Sequence, residues 1–343
     1  MRSILGIDRQ QLMDWLAENS YPSYRADQIL PWVYQQEVVD FQAMGNVPKG
    51  LREKLAQEFS LRSGSLRDTV AGSDGTIKFL LCWPDGAATE TVLIPQEQRR
   101  TVCVSSQVGC PVGCFFCASG MDGLERSLEA AEMVEQLMWA RSQWAGGDRI
   151  SNVVIMGMGE PLANYENTIK AIRIINADWA LGIGARHITL STIGLPQQIR
   201  KVAQEELQIT LAVSLHAADD QTRRKIIPWA KKFSLDEIFA AIDYYFQKTH
   251  REVTLEYVLL EGVNCSPADA DKLAHWAQRS RCNVNLINYN LVAPIGFQPA
   301  SAATIKEFMQ RLQDKGINVH LRQSHGANID AACGQLRRRS KTD

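Results

Sequence analysis

From Thr101 onward, strand-like and helix-like runs alternate along the chain, and this alternation constrains the fold more than any other feature. The predicted strands are Thr101–Ser105, Asn152–Met156, His187–Ser191, Ile209–Ser214, Val253–Leu259, Asn283–Ile287 and Asn318–Arg322. The predicted helices are Leu128–Trp144, Tyr165–Ala177, Pro196–Glu206, Leu235–Thr249, Pro267–Arg279 and Ala303–Lys315. Repeated strand–helix–strand units with right-handed crossovers predict a parallel sheet in an open or closed α/β barrel, with its active site at the carboxyl ends of the strands.

The first hundred residues follow a different pattern. Apolar residues at helical spacing predict three helices, at Ile7–Asn19, Ala26–Gln36 and Pro48–Phe59. Two strand-like runs, Lys78–Trp83 and Thr89–Ile94, flank the turn sequence Pro84-Asp85-Gly86 and predict a hairpin. We therefore expect a helical N-terminal domain at 1–68, a β-hairpin linker at 69–100 and a barrel domain at 101–343.

Composition and charge limit the class of protein. The 343 residues carry a net charge of −1, so any nucleic-acid contact must come from local basic surface. No apolar stretch reaches the roughly 20 residues of a membrane span, and the start does not resemble a signal peptide. We expect a cytoplasmic protein. Of its eight cysteines, four lie between 103 and 117, a clustering that favours metal or redox chemistry over structural disulfides.

Cys110, Cys114 and Cys117 form a C-x3-C-x2-C motif in a loop after the first barrel strand. Three thiolates can hold three irons of a [4Fe-4S] cluster and leave the fourth iron open, whereas four cysteines are usual. A structural zinc with a fourth ligand from elsewhere is an alternative, but C-x3-C is an unusual zinc half-site. Buried core cysteines are a second alternative, although a loop with three cysteines in eight residues is a poor core element.

The cysteine motif, with an aromatic residue before Cys117, resembles the signature of the radical S-adenosylmethionine (SAM) superfamily. The resemblance implies that the open iron binds SAM and that the reduced cluster cleaves it to a 5′-deoxyadenosyl radical. A second segment, Gly157-Met158-Gly159-Glu160-Pro161-Leu162, ends the second predicted strand and resembles the glycine-rich segment that meets the amino end of SAM. Glycines there permit close backbone approach, and the Glu160 carboxylate pairs with a cation.

Two further motifs resemble the RlmN and Cfr family of radical SAM RNA (adenine) methyltransferases, and RlmN most closely. They are Ile329-Asp330-Ala331-Ala332-Cys333-Gly334-Gln335-Leu336 and Cys103-Val104-Ser105-Ser106-Gln107-Val108-Gly109-Cys110. The family resemblance implies a partial (β/α)6-type barrel and the use of two SAM molecules per turnover. One SAM methylates Cys333, and the radical from the other converts that S-methyl group into a radical that adds to adenine. Cys103 then releases the product by forming a transient disulfide with Cys333.

The same resemblance carries over further site residues. Glu90 matches the proposed proton acceptor, although from its position alone it would be a solvated strand glutamate. The expected SAM contacts are Gly159, Glu160, Ser191, Ser214, Leu215, His216 and Asn290. All of them lie at or just beyond predicted strand ends, where a barrel binds its ligand.

The resemblance also implies the partners. The helical N-terminal domain would bind RNA, where Tyr24 and Arg25 could stack on bases and meet phosphates, and Arg337-Arg338-Arg339 could add phosphate contacts. The target adenine would have to be unstacked or flipped out. A low-potential donor such as flavodoxin or ferredoxin would reduce the cluster, and a monomer would leave the barrel mouth open to a large RNA.

Several functions stay open at this point. RlmN-type enzymes methylate adenine C2 in 23S rRNA, and often in tRNA next to the anticodon, whereas Cfr-type enzymes methylate C8 and confer antibiotic resistance. The segments 189–192 and 256–260 favour the C2 type. A non-catalytic iron–sulfur protein that binds RNA and a radical SAM enzyme with another substrate are the alternatives. The chain departs from the family pattern at Ser127, Trp229, Ala230, Leu291 and Asn328.

Overall fold

The computed structural model describes residues 1–144, 146 and 149–337. The strands are β1 (Arg2–Ser3), β2 (Phe59–Ser60), β3 (Ser65–Ala71), β4 (Ile77–Cys82), β5 (Ala88–Gln96), β6 (Arg99–Cys103), β7 (Gln107–Gly109), β8 (Leu124–Ser127), β9 (Asn152–Ile155), β10 (Ile188–Thr192), β11 (Thr210–Ser214), β12 (Thr254–Leu259), β13 (Asn283–Asn288) and β14 (Val319–Arg322). The α-helices are α1 (Arg9–Glu18), α2 (Ala26–Tyr34), α3 (Lys49–Glu58), α4 (Ala130–Ser142), α5 (Tyr165–Asn176), α6 (Pro196–Val202), α7 (Asp220–Ile226), α8 (Leu235–Thr249), α9 (Pro267–Arg279) and α10 (Ala302–Asp314).

Ten strands form one sheet in the order β14-β13-β12-β11-β10-β9-β6-β5-β4-β3. From β6 through β9 to β14 all neighbours pair in parallel, and each of these seven strands coincides with a predicted barrel strand to within two residues at either end. Because β14 and β3 lie at opposite edges of this sheet, the barrel is open. The predicted partial α/β barrel is therefore confirmed.

The predicted hairpin is part of a larger structure. β4 and β5 pair in antiparallel fashion around the turn at Gly86, as expected, but β3 adds a third strand and β5 continues the sheet onto β6. Sequence reasoning missed β3 because none of its seven residues is buried, so it lacks an apolar face. β3 also crosses the expected boundary between residues 68 and 69, and residues 69–100 extend the barrel sheet.

Local capping explains why several helices begin where the sequence places them. The Ser234 hydroxyl accepts a hydrogen bond from the Glu237 backbone N–H, and the Glu237 carboxylate accepts one from the Ser234 backbone N–H. Ser266 and Asp269 form the same reciprocal cap at α9, with Pro267 in the first turn. Both helices have the predicted bounds. α7 was not predicted, because only Arg223 and Ile226 of its seven residues are buried and it shows no apolar periodicity.

The N-terminal helices pack against the barrel rather than standing apart from it. α1, α2 and α3 lie within two residues of the predicted bounds, and their apolar side chains belong to the same hydrophobic cluster as the barrel core. The Arg141 guanidinium on α4 donates hydrogen bonds of 2.8 Å to the carbonyls of Tyr34 and Gln35. Within the described ranges, no helix has both the length and the apolar character needed to cross a membrane.

Candidate active site

A cavity opens at the carboxyl ends of the parallel strands. Its walls come from the loop after β7, from the ends of β9 to β14 with the residues that follow several of these strands, and from the segment around Cys333. It brings together most of the predicted site residues: Cys110, Cys114, Cys117, Gly159, Glu160, Ser191, Ser214, His216, Asn290 and Cys333. The barrel geometry therefore places residues from six separate parts of the chain around one space.

The three cysteines of the C-x3-C-x2-C motif lie on the loop after β7 and face this cavity. Burial raises the pKa of Cys110 to about 12, and it also raises the pKa values of Cys114 and Cys117. The three thiols lie close enough for charge on one to disfavour charge on another. A cation that binds them would remove this penalty by holding the thiolates.

The donor set fits a [4Fe-4S] cluster better than a single metal ion. Among the described residues, no three His, Cys, Asp or Glu side chains converge closely enough to hold one ion. A cubane cluster gives each cysteine its own iron, so its ligands stand farther apart than those of a zinc site. Three half-buried thiols that line one cavity therefore suit a [4Fe-4S] cluster, which they would hold with one iron left open to a ligand.

Cys333 and Cys103 approach the cavity from different elements. Cys103 ends β6 and is 8% exposed, whereas Cys333 is exposed on the C-terminal segment. Both residues line a second cavity that adjoins the first. Burial, followed by the neighbouring Cys333 thiol, raises the pKa of Cys103 to about 12. All eight cysteines, each within the described ranges, are free thiols, so no disulfide joins these two.

Glu90 lies in the middle of β5 and is 1% exposed, so its interpretation as a solvated strand glutamate is wrong. Its carboxylate lies 3.0 Å from the Lys78 ammonium group and accepts a 2.7 Å hydrogen bond from the backbone N–H of Arg337. Burial raises the pKa of Glu90, while Lys78 opposes that shift. The residue does not line the main cavity but supports the segment that carries Cys333.

The glycine-rich segment after β9 packs tightly on the chain that follows β6. A side chain at Gly157 would meet Ser105, and one at Gly159 would lie 2.7 Å from Gln107 and Ser106. Gly159 also has φ +109°, a left-handed conformation that favours glycine. The glycines thus allow two strand ends to approach each other, in addition to leaving room in the cavity.

Glu160 follows these glycines and is almost completely buried. One carboxylate oxygen accepts a 3.0 Å hydrogen bond from the Leu162 N–H, and the other accepts a 2.8 Å bond from the Ile193 N–H. Burial nevertheless raises the pKa of Glu160 to about 7. Each oxygen has a second lone pair, so the carboxylate can still accept a hydrogen bond from a ligand in the cavity.

The remaining predicted SAM contacts lie at neighbouring strand ends. The Ser191 and Ser214 hydroxyls lie 3.3 Å apart across β10 and β11. Asn290 donates a 3.2 Å hydrogen bond to the carbonyl of Cys333 and so connects the loop after β13 with the C-terminal segment. Leu215 differs, because its side chain is fully buried in the hydrophobic core and does not line the cavity.

His216 combines a structural contact with a position on the cavity wall. Its Nδ1 accepts a 3.1 Å hydrogen bond from the Val258 N–H, and its ring packs edge-on against Phe116 with centroids 5.0 Å apart. Burial, with a smaller effect of Arg223, lowers the pKa of His216 to about 3. The ring is therefore neutral at physiological pH.

Sequence reasoning missed Arg322, the last residue of β14. Its guanidinium lies 3.6 Å from the Glu256 carboxylate and contacts the Met156 sulfur at 3.4 Å. Nearby Cys333, Glu256 and Cys103 raise the pKa of Arg322, so it keeps its positive charge beside both thiols. A basic residue at the carboxyl end of a parallel strand is the signal that would have identified it.

The RNA-binding predictions have less support from geometry. Tyr24 is 53% exposed, and the Arg25 guanidinium stacks 4.9 Å from the centre of its ring. Arg337 forms two 3.0 Å hydrogen bonds with the Asp122 carboxylate. Arg338 and Arg339 lie outside the described residues, so only the first position of that basic run has a structural description.

Comparisons with known proteins agree with this geometry. The family model for the ribosomal RNA large subunit methyltransferase N-terminal domain matches residues 3–61, and the radical SAM superfamily model matches residues 104–277. The chain is 46% identical, over 98% of its length and 97% of the relative's, to a probable dual-specificity RNA methyltransferase RlmN from Dictyoglomus thermophilum. A protein of the same name from Clostridium perfringens is 42% identical, over 98% of this chain and 97% of its own.

A solved structure extends the agreement to three dimensions. The crystal structure of a radical SAM methyltransferase from Sphaerobacter thermophilus matches with a TM-score of 0.96 and 43% identity, over 99% of this chain and 100% of that one. The sequence similarity and the structural similarity therefore both extend over almost the full length of the chain. The chain belongs to the RlmN family of SAM-dependent methyltransferases within the radical SAM superfamily.

Proposed function

We propose that the chain methylates C2 of an adenine in 23S rRNA, and of the adenine next to the anticodon in tRNA, with Cys333 as the methyl carrier. The observation that carries this proposal is the position of Cys333. It is an exposed thiol on the wall of the cavity that also holds Cys110, Cys114 and Cys117. A cavity with a cluster-type donor set and a separate reactive thiol fits an enzyme better than a non-catalytic iron–sulfur protein.

The residues of the cavity divide into two binding sets. Cys110, Cys114 and Cys117 would hold the [4Fe-4S] cluster. Gly159, Glu160, Ser191, Ser214, His216 and Asn290, with the backbone of Leu215, would hold SAM, of which two molecules are used per turnover. When bound, the cluster and SAM supply the methyl group and the 5′-deoxyadenosyl radical.

Cys103 would resolve the covalent intermediate between Cys333 and RNA. It adjoins the same second cavity as Cys333, and attack by one sulfur on the other needs close approach. Its buried thiol must lose a proton first, because the thiolate is the nucleophile. The Arg322 guanidinium lowers the pKa of Cys103 and thus favours the reactive form.

Glu90 would accept the proton that leaves the adenine carbon of the adduct. In this structure its carboxylate contacts Lys78 and the backbone of Arg337, which is four residues after Cys333. A modest movement of that segment would free one oxygen toward an adduct on Cys333. Burial, which raises the pKa of Glu90, makes it a stronger base than an exposed glutamate.

The other partners follow from the same proposal. Residues 1–68 would recognise RNA, residues 69–100 would join them to the barrel, and residues 101–343 would hold the active site. A chain that modifies ribosomal RNA would work in the cytoplasm, and as a monomer it would leave the cavity mouth accessible. A flavodoxin or ferredoxin would supply the electrons.

Nucleoside mass spectrometry tests the proposal. RNA would be taken from a host that lacks the gene and is complemented with wild-type protein or with Cys333→Ala. We expect 2-methyladenosine with the wild type only. The 8-methyl isomer would instead assign the chain to the Cfr type, and the absence of both isomers, with the cluster assembled, would reject the RNA substrate.

A further inference from the structure

The loop that carries the three cysteines has an outer face as well as the face that lines the cavity. Phe116 lines the cavity and is 8% exposed, whereas the adjacent Phe115 does not line it and is 56% exposed. Burial of this exposed phenylalanine against a partner would stabilise a complex. Its position, one residue from Cys114, places this apolar surface directly outside the expected cluster site.

This outer face continues onto a basic segment, which we define as residues 224–232. The Phe115 backbone N–H donates a 3.0 Å hydrogen bond to the carbonyl of Ile226, which joins the two surfaces. Four of the nine residues, Arg224, Lys225, Lys231 and Lys232, are basic and exposed, and none of the nine is acidic. Asp220 lies 3.7 Å from Arg224 and offsets one of these charges.

An aromatic residue lies within the basic segment. The Lys232 ammonium group lies 4.0 Å from the centre of the half-buried Trp229 ring. Apolar and aromatic surface surrounded by positive charge is the arrangement expected of a small interface with a negatively charged partner.

We infer that Phe115 and the basic segment form the docking surface for an acidic, low-potential electron-carrier protein. This inference rests on the proposed function, which requires reduction of the cluster. In the step that the surface would serve, the carrier loses one electron and the cluster gains one, with no proton or group transferred. Short-lived redox complexes have small interfaces, and charge complementarity mainly raises their association rate.

RNA is the other macromolecule that a basic surface could attract, but the geometry favours the carrier. The target adenine must reach Cys333, which lies on the wall of the cavity. Phe115 is exposed and does not line this cavity, so a partner seated on it would meet the cysteine loop from outside the cavity. This arrangement would let the carrier and RNA use separate surfaces.

The first test measures binding rather than activity. A fluorescently labelled acidic flavodoxin would be titrated with the full-length protein, without its cluster, at low ionic strength. We expect Lys225→Glu/Lys231→Glu to weaken binding about tenfold or more, and Lys225→Arg/Lys231→Arg to preserve it. The matched control is Lys201→Glu/Lys248→Glu, because these exposed lysines lie in the last turns of α6 and α8, which lead back to the amino ends of the strands, away from the cysteine loop at their carboxyl ends. Equal weakening in the control would overturn the inference.

The second test separates the docking surface from the proposed function. Cluster reduction in the reconstituted protein would be measured with reduced flavodoxin and with dithionite. We expect the charge-reversed variant to be reduced more slowly by flavodoxin only, since dithionite needs no docking surface. The inference would be overturned if flavodoxin reduced the cluster of the charge-reversed variant as fast as that of the wild type. It would also be overturned if this variant, reduced by dithionite, had a higher KM for RNA than the wild type. If wild type reduced by dithionite does not methylate RNA, the proposed function fails and the binding result still stands on its own.

Discussion

The Glu90 carboxylate accepts a 2.7 Å hydrogen bond from the backbone N–H of Arg337, which ties the middle of β5 to the chain just after Cys333. Lys78 on the adjacent β4 lies 3.0 Å from Glu90 and donates a 3.2 Å hydrogen bond to the carbonyl of Asp330. Asp330 and Arg337 stand on either side of Cys333. Two side chains of the antiparallel strands therefore hold both ends of the segment that carries this cysteine.

Replacement of Lys78 by methionine should loosen this segment. The change leaves the buried Glu90 carboxylate without its cation, a loss that costs about 3 kcal/mol for a buried ion pair. We expect faster amide hydrogen exchange in residues 326–337 and a lower free energy of unfolding, both measured against Lys78→Arg, which keeps the charge. Unchanged exchange in Lys78→Met would show that the ion pair does not hold the segment.

Gly159→Ala should destabilise the protein more than an alanine substitution at a glycine that has no close neighbours. The new Cβ would lie 2.7 Å from Gln107 and Ser106 in a left-handed backbone, so we expect a loss of stability of about 3 kcal/mol. Gly262→Ala is the matched control, because Gly262 also has a positive φ (+71°) but no neighbour within 4 Å of a Cβ. Its cost should be about 1 kcal/mol. Chemical denaturation checks both values, and equal costs would contradict the packing argument.

Alkylation should distinguish the two proposed catalytic thiols. Cys333 is exposed, whereas burial raises the pKa of Cys103 to about 12. Only the thiolate reacts with iodoacetamide, so we expect Cys333 to be modified at least about ten times faster at neutral pH. The rate at Cys103 should keep rising as the pH approaches its pKa. Peptide mass spectrometry of a time course measures both rates, and modification of Cys103 at the rate of Cys333 would refute this assignment.

His216 should stay neutral across the physiological range. The pKa in the fold is about 3, below the value of about 6.5 expected for an unfolded chain. Its contribution to stability is therefore complete above about pH 6.5 and is lost as the pH falls toward 3, because the unfolded chain takes up a proton first. Nuclear magnetic resonance of labelled histidines should show no titration of this ring between pH 5 and 8. A shift that reports protonation near pH 6.5, absent in His216→Asn, would contradict this.

Much of the barrel could be predicted from the sequence because its strands and helices have strong, regular apolar patterns. β12 and α8 illustrate this, since apolar alternation and the Ser234 cap mark their bounds. β3 and α7 could not be predicted, because neither shows apolar periodicity: β3 is held by its pairing with β4, and α7 begins at the Asp219 cap.

The candidate site, like the fold, could be predicted from the sequence only in part. The cysteines and Glu160 lie in recognisable motifs, and the barrel brings them to one cavity as expected. The burial of Glu90 could not be seen, because it depends on Lys78 and on Arg337, which is 247 residues away. Arg322 was missed for a related reason. Its charge matters because the thiols of Cys103 and Cys333, which belong to distant segments of the chain, lie near it.

Whether Cys333 itself carries a methyl group is the most direct test of the proposed function. Protein would be produced with isotopically labelled methionine, and the peptide that contains residue 333 would be analysed by mass spectrometry, with the peptide of Cys265 as an internal control. We expect one labelled methyl group on Cys333 and none on Cys265. An unmodified Cys333 in a protein that still methylates adenine would contradict its role as the methyl carrier.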